Sequence, residues 1–194
     1  MDKGKPTGHG TCVFKTGFMY EGTWLNGAPH GWGVLSDDRD VTLYEGEFVD
    51  GHLQGLGVCF LSNGDRWRGR WRAGLIEGDA EYHSADGLCT FEGPMVNGLP
   101  HGKCHIRYSD TAYYWGEFHK GVRHGKGELK LDSGYHFNGQ WVNGVFEGKG
   151  ECTYPDGSKY DGTWKAGKRE GRGTLRSGAE HEVRLSVKFV DDAI

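Results

Sequence analysis

Tyr20-Glu21-Gly22-Thr23-Trp24-Leu25-Asn26-Gly27 is the first of seven in-register copies of one phrase. Each copy has an aromatic anchor, Gly two residues on, a second aromatic or Met two further, and Gly three further. The anchors are Tyr20, Tyr44, Trp67, Phe91, Tyr114, Phe137 and Tyr160, spaced by 24, 23, 24, 23, 23 and 23 residues. The second large residues are Trp24, Phe48, Trp71, Met95, Phe118, Trp141 and Trp164. Four residues after the last Gly of each copy comes another Gly, from Gly31 to Gly171, and two further a small residue such as Gly33, Ala80 or Cys104. Repetition at a fixed period sets an architecture of stacked units.

Anchor, Gly and second aromatic occupy alternate positions, so on an extended strand they share one face. The residues between them are polar or charged: Glu21 and Thr23, Glu45 and Glu47, Arg68 and Arg70, Asp161 and Thr163. Asn26-Gly27, Asp50-Gly51, Asn97-Gly98 and Asn143-Gly144 supply turn chemistry, because Gly accepts a positive φ and Asn or Asp tolerates it. The return strand then starts at the Gly-x-Gly pair. The simplest register sets Trp24 against Gly31, Gly22 against Gly33 and Tyr20 against Leu35. A ring lies flat where the facing residue has no side chain, and it covers backbone that glycine leaves bare.

One hairpin cannot bury this face, so neighbouring repeats must stack on one another. The expected fold is all-β: an elongated, single-layer, twisted antiparallel meander of stacked β-hairpins. Residues 1–19 form a leading half repeat, 20–180 seven repeats and 181–194 a capping strand and tail. Seven hairpins and a leading strand make about fifteen strands, before the segment Glu182-Val-Arg-Leu-Ser-Val-Lys-Phe-Val190, which alternates without glycine and reads as the cap. Sheet twist is expected to roll the array into a trough with the rings inside.

The phrases Tyr44-Glu-Gly-Glu-Phe-Val-Asp-Gly, His30-Gly-Trp-Gly, His124-Gly-Lys-Gly and Tyr154-Pro-Asp-Gly resemble MORN (membrane occupation and recognition nexus) repeats, from about Gly8 to Gly178. The resemblance implies the same elongated sheet. It also implies a non-enzymatic structural part of a cilium, flagellum or other cytoskeletal assembly. Its alternatives are a peripheral module for phosphoinositide membranes and a regulatory module of a larger enzyme, such as a MORN-bearing lysine methyltransferase. No second domain is expected after Phe189.

Composition agrees with an ordered array. Thirty-five glycines without a Gly-X-Y period, and only five prolines, exclude collagen. A formal net charge of −4 argues against wholesale nucleic-acid binding. Five scattered cysteines suit a reducing compartment. No early apolar run reads as a signal peptide, and none approaches a membrane span, so any membrane contact is peripheral.

The fourth repeat departs from the pattern with Pro94, Met95, Cys104 and Thr111. Pro94 cannot donate to a ladder, which reads as tolerated drift with a local kink or as a bend between two half-arrays. Asp37, Asp38 and Asp40 read as a solvated loop, not paired catalytic carboxylates. The recurring Gly-x-Gly pairs precede strands, whereas a phosphate-binding loop opens a helix once. His101-Gly-Lys-Cys104-His105 has metal-ligating residues, but Cys104 and His105 point to opposite faces, and His101 and His124 lie a repeat apart. No catalytic residue, cofactor or metal site is expected.

Three surfaces remain. The aromatic face, Tyr20, Trp24, Tyr44, Phe48, Trp67, Trp71, Phe91, Tyr114, Phe118, Phe137, Trp141, Tyr160 and Trp164, is the candidate site for an extended or helical protein segment. Arg66, Arg68, Arg70 and Arg72 form a basic strand for an acidic partner, unless Glu81, Asp79 and Glu77 pair with Arg68, Arg70 and Arg72 across the hairpin. Val183, Leu185, Val187 and Phe189 mark an edge for antiparallel self-association into a homodimer.

Overall fold

The computed structural model describes residues 4–177, 184–190 and 192. Among them there is no helix. Seventeen strands run in an open antiparallel meander. The chain divides into two compact units, Met1–Gly98 and Leu99–Ile194. In the first, β1 (Gly8–Val13), β2 (Met19–Leu25), β3 (Ala28–Ser36), β4 (Thr42–Val49), β5 (His52–Phe60), β6 (Arg66–Arg72), β7 (Leu75–His83) and β8 (Thr90–Val96) pair each with the next. The second begins with the short β9 (Leu99–Pro100). It continues through β10 (Gly102–Arg107), β11 (Tyr113–His119), β12 (Val122–Lys130), β13 (His136–Val142), β14 (Val145–Thr153), β15 (Lys159–Lys165), β16 (Lys168–Arg176) and β17 (Arg184–Phe189), again paired in sequence from β10 on. Seven hairpins, a leading strand and the C-terminal strand account for sixteen. The seventeenth arises because the return strand of the fourth repeat is broken at His101.

The hairpin turns follow the sequence. Asn26 and Gly27 both have positive φ, 53° and 89°, the two-residue turn whose twist matches that of the strands. Ala73-Gly74, Lys120-Gly121 and Ala166-Gly167 adopt the same conformation without Asn or Asp. Each turn is also tied to the preceding repeat: Gly51 N–H donates to the Pro29 carbonyl, Gly74 to Leu53 and Gly144 to Arg123.

The register departs from expectation in one systematic way. Tyr20 faces Leu35 and Gly22 faces Gly33, as read, but Trp24 faces Pro29 instead of Gly31. The ladder jumps between Gly22 and Trp24, leaving Thr23 opposite three residues of the return strand. Gly31 sits in this bulge at φ 71°, where a side chain is strained. Gly31 instead pairs with Phe48 of the next repeat. The same jump recurs between Gly46 and Phe48, Gly116 and Phe118, and Gly139 and Trp141. The two conspicuous glycines of each Gly-x-Gly thus serve different ends. The first turns the bulge, and the second lies under the anchor ring.

That second role is visible at Gly33, where an added Cβ would lie 2.4 Å from the Tyr20 ring. Trp67, a half-buried anchor, lies tilted against Tyr82 with centroids 5.0 Å apart and planes 47° apart, and the corresponding second position is Ala80. Apart from Trp67, whose contacts with Tyr82 and Phe91 are tilted, anchor and second rings meet edge to face. Tyr20 meets Trp24 at 5.2 Å and Phe48 at 5.0 Å, and Tyr44 meets Phe48 and Trp71. In the second unit Tyr114, Phe137 and Tyr160 each contact their own second aromatic and the next one, the last being Phe189. Each such pair contributes about 0.5–1.5 kcal/mol beyond area burial. The polar tips are satisfied. Trp71, Trp141 and Trp164 indoles donate to the carbonyls of Gly57, Gly127 and Gly150, and the Tyr20, Tyr114 and Tyr160 hydroxyls to the carbonyl three residues on.

Candidate functional site

The aromatic row is packed, not open. Twelve of its thirteen rings are buried, Tyr20, Tyr114, Phe137 and Tyr160 completely; only Trp67 is half-exposed. Burial pushes the Tyr44 hydroxyl up to about 12, so it remains a protonated donor through the physiological range. The cover comes from the residue that the bulge sets opposite each second aromatic: Pro29, Leu53, Ile76, Arg123, Phe146 and Arg169. Phe146 stacks on Phe137 at 3.8 Å, with the planes 16° apart. The Arg123 guanidinium lies 4.7 Å over Tyr114 and 5.1 Å over Trp141, and that of Arg169 lies 4.2 Å over Phe189. These lids supply the second layer that a single sheet otherwise lacks. Sequence reading missed them because they share bulk but not chemistry.

The arginine strand also shifts with the bulge. Arg68 faces Glu81 as expected, but Arg70 faces Glu77 and not Asp79, and Arg72 faces Leu75 and not Glu77. No ion pair within 4 Å involves Arg66, Arg68, Arg70 or Arg72 among the described residues, and all four are exposed. The expected ladder is therefore reduced to two facing pairs, Arg68 with Glu81 and Arg70 with Glu77.

At the C-terminal end, Val183 lies outside the described residues. Leu185 is exposed, Val187 half-buried and Phe189 fully buried against Tyr160, 5.3 Å away. Phe189 pairs with Gly171 just as Trp164 pairs with Gly148. It therefore stands where an eighth second aromatic would. Among the described residues no strand is paired with the outer edge of β17.

Grooves lie on the other face. In the first unit a groove of ≈ 670 Å³ is lined by Trp32, Leu56 and Val58, with Glu45, Asp79, Glu81, Glu92 and Arg68 around them. Trp32 is 53% exposed and Leu56 54%. In the second unit one groove is lined by Lys149, Asp161, Thr163, Arg172 and Lys188, and another by Lys103, Trp115, Glu117, Lys126 and Glu128. These grooves thus lie on the face away from the rings. The signal was present in the sequence, at the middle residue of each Gly-x-Gly.

Elsewhere the polar clusters serve turns. Asp37 accepts from the Arg39 and Val41 amides and from the Arg39 side chain, which holds its carboxyl below the usual range. The His119 ring lies 5.1 Å from that of His101 and 5.9 Å from that of His124. No group that could hold a metal ion is found among the described residues. None of the five cysteines forms a disulfide.

The MORN repeat is matched eight times, at residues 2–19, 20–38, 44–66, 67–89, 91–112, 114–134, 137–159 and 160–178. The chain belongs to the MORN repeat family. MORN repeats are typically non-catalytic and act in protein interaction or membrane binding. The leading segment counts as a repeat of its own. Among curated relatives, Alsin of human, mouse and rat is 36% identical over 93 residues, which is 45% of this MORN array and 6% of Alsin. The chain thus spans a small fraction of the length of these relatives. Among solved structures, the SAS-4 (dCPAP) TCP domain of Drosophila melanogaster, in complex with a proline-rich motif of Ana2 (dSTIL), aligns with a TM-score of 0.45. The identity is 10%, over 93% of this chain and 90% of that one.

Proposed function

We propose that this MORN array is a non-enzymatic scaffold or adaptor that holds a protein partner within a cytoskeletal assembly, with a cilium or flagellum as its setting. One observation carries the reading: the groove of the first unit, where Trp32 and Leu56 stand exposed on a rigid sheet. Tryptophan in a concave setting is the residue type that dominates protein contacts energetically. The partner is an extended or helical segment. It binds the face opposite the rings, because the rings spend their surface on one another. Proximity labelling from the tagged full chain, in ciliated cells, tests this. The wild type is expected to label cytoskeletal proteins, and Trp32→Ala combined with Leu56→Ser to lose them at an unchanged Tm. Unchanged labelling by the variant, or a labelled set outside the cytoskeleton, overturns the reading.

The second reading, peripheral binding to phosphoinositide membranes, draws on the exposed lysines of the second unit, among them Lys103, Lys126 and Lys149. Flotation of the full chain with anionic vesicles separates the two readings.

The outer edge of β17 extends the proposal to a homodimer. Unpaired edge N–H and C=O groups template another chain, and Leu185 is exposed there. Light scattering over a concentration series is expected to show a dimer forming. A monomer at every accessible concentration removes the edge from the proposal.

A further inference from the structure

The middle residue of the Gly-x-Gly pair changes character along the chain. In the first unit it is Trp32, Leu56 or Asp79; in the second it is Lys103 (in Gly-Lys-Cys), Lys126, Lys149 or Arg172. These four cations occupy equivalent places on alternate strands, all on the face away from the rings and all exposed. Lys188, directly opposite Arg172 on β17, continues the row. The five line the grooves of the second unit. None takes part in an ion pair within 4 Å among the described residues.

Three carboxylates on that face make other contacts. Glu117 accepts from the Lys126 amide, at 3.4 Å. Glu128 is held by the Tyr113 hydroxyl at 2.6 Å and by His136 at 2.8 Å. Glu151 lies 4.0 Å from Lys159. Glu117, directly opposite Lys103, and Glu128 and Asp161 line the same two grooves, but among the described residues none comes within 4 Å of the five cationic groups, which stay exposed along the row.

We propose that this row binds an acidic polypeptide segment that runs along it in an extended conformation. Strands sit about 4.8 Å apart, so cations on alternate strands repeat every ~10 Å. A chain in the polyproline-II conformation common to unfolded segments returns to the same side every third residue, after about 9.3 Å. An acidic segment with a carboxylate at every third position therefore meets the row in step. A flat bilayer does not enter a groove. A nucleic-acid strand seeks repeated stacking platforms between the cations, and Trp115 is the one exposed aromatic among the residues lining these two grooves. The proposal concerns a different surface from the Trp32 groove and stands if that groove is empty.

Fluorescence anisotropy of the full chain with a fluorescein-labelled peptide of five Glu-Ser-Gly repeats tests it. Binding at low ionic strength is expected to weaken with added salt, and to weaken roughly tenfold in Lys126→Glu/Lys149→Glu. Lys120→Glu/Lys168→Glu makes the same charge change at hairpin tips and is expected to stay within about twofold of wild type. If the first variant melts early, Lys126→Gln/Lys149→Gln carries the comparison. A peptide of the same composition with its glutamates in one block is expected to bind more weakly. No binding by the wild type, equal losses in both charge-reversed variants, or tighter binding of polyuridylate or of phosphatidylcholine–phosphatidylserine vesicles overturns the proposal.

Discussion

Gly116→Ala is expected to destabilise the second unit by about 3 kcal/mol, the upper end of the overpacking range. An added Cβ would stand 2.5 Å from the Gly127 Cα and 2.8 Å from the Lys126 carbonyl oxygen. Both are backbone atoms of the paired strand and cannot turn aside as a side chain can. The Tyr114 hydroxyl, 2.6 Å away, is held by its bond to the Glu117 carbonyl. The bulge glycine gives the contrast. At Gly171 nothing lies within 4 Å of an added Cβ, but φ is +69°. Gly171→Ala is therefore expected to cost only the left-handed strain, about 1 kcal/mol. Asn tolerates that conformation better than Ala, whereas under a ring it is simply larger. The order of the two substitutions should reverse between the sites: Asn above Ala at Gly171, Ala above Asn at Gly116. Thermal melts giving the same order at both would show that the two glycines are not distinguished by bulge and ring.

This division explains what the sequence disclosed and what it concealed. The anchors, the second aromatics and the turns were legible because each is a matter of residue type at fixed spacing: Tyr20, Trp24 and Asn26-Gly27 can be read from their chemistry alone. The bulge was not, because Gly31 and Gly33 are the same letter. A glycine chosen for positive φ and one chosen for an absent side chain look alike in a sequence. Missing the bulge displaced Trp24 from Pro29 to Gly31, and Arg70 from Glu77 to Asp79. It also hid the lids, since Pro29, Leu53, Ile76, Arg123, Phe146 and Arg169 come opposite the rings only when the ladder jumps. Without lids the aromatic row reads as exposed and becomes the obvious binding surface. With them, the row is a core and the candidate surfaces move to the other face, where Trp32, Leu56 and the lysine row stand in plain view between glycines.

The lids are open to direct test at Phe146. Its ring stacks on Phe137 and meets the edges of Trp141 at 4.7 Å and Trp164 at 5.4 Å, so one side chain covers parts of two repeats. Phe146→Ala is expected to cost about 2–4 kcal/mol, somewhat below a fully buried Phe because the ring is half-exposed. A chain of this size should then melt on the order of 10 °C lower. Trp141, now 2% exposed, loses its cover while its indole bond to the Gly127 carbonyl persists. Its emission should shift to the red before the global transition, because units in a stacked array respond locally. Arg123→Ala removes the corresponding lid one repeat earlier, but there a guanidinium over two rings contributes less, about 0.5–2 kcal/mol. Arg123→Lys should not restore it, since the planar guanidinium is what lies flat on the rings. If Phe146→Ala melts with the wild type and leaves the tryptophan emission in place, the ring row is sealed by its own edge-to-face packing, and the residue opposite each second aromatic is a bystander.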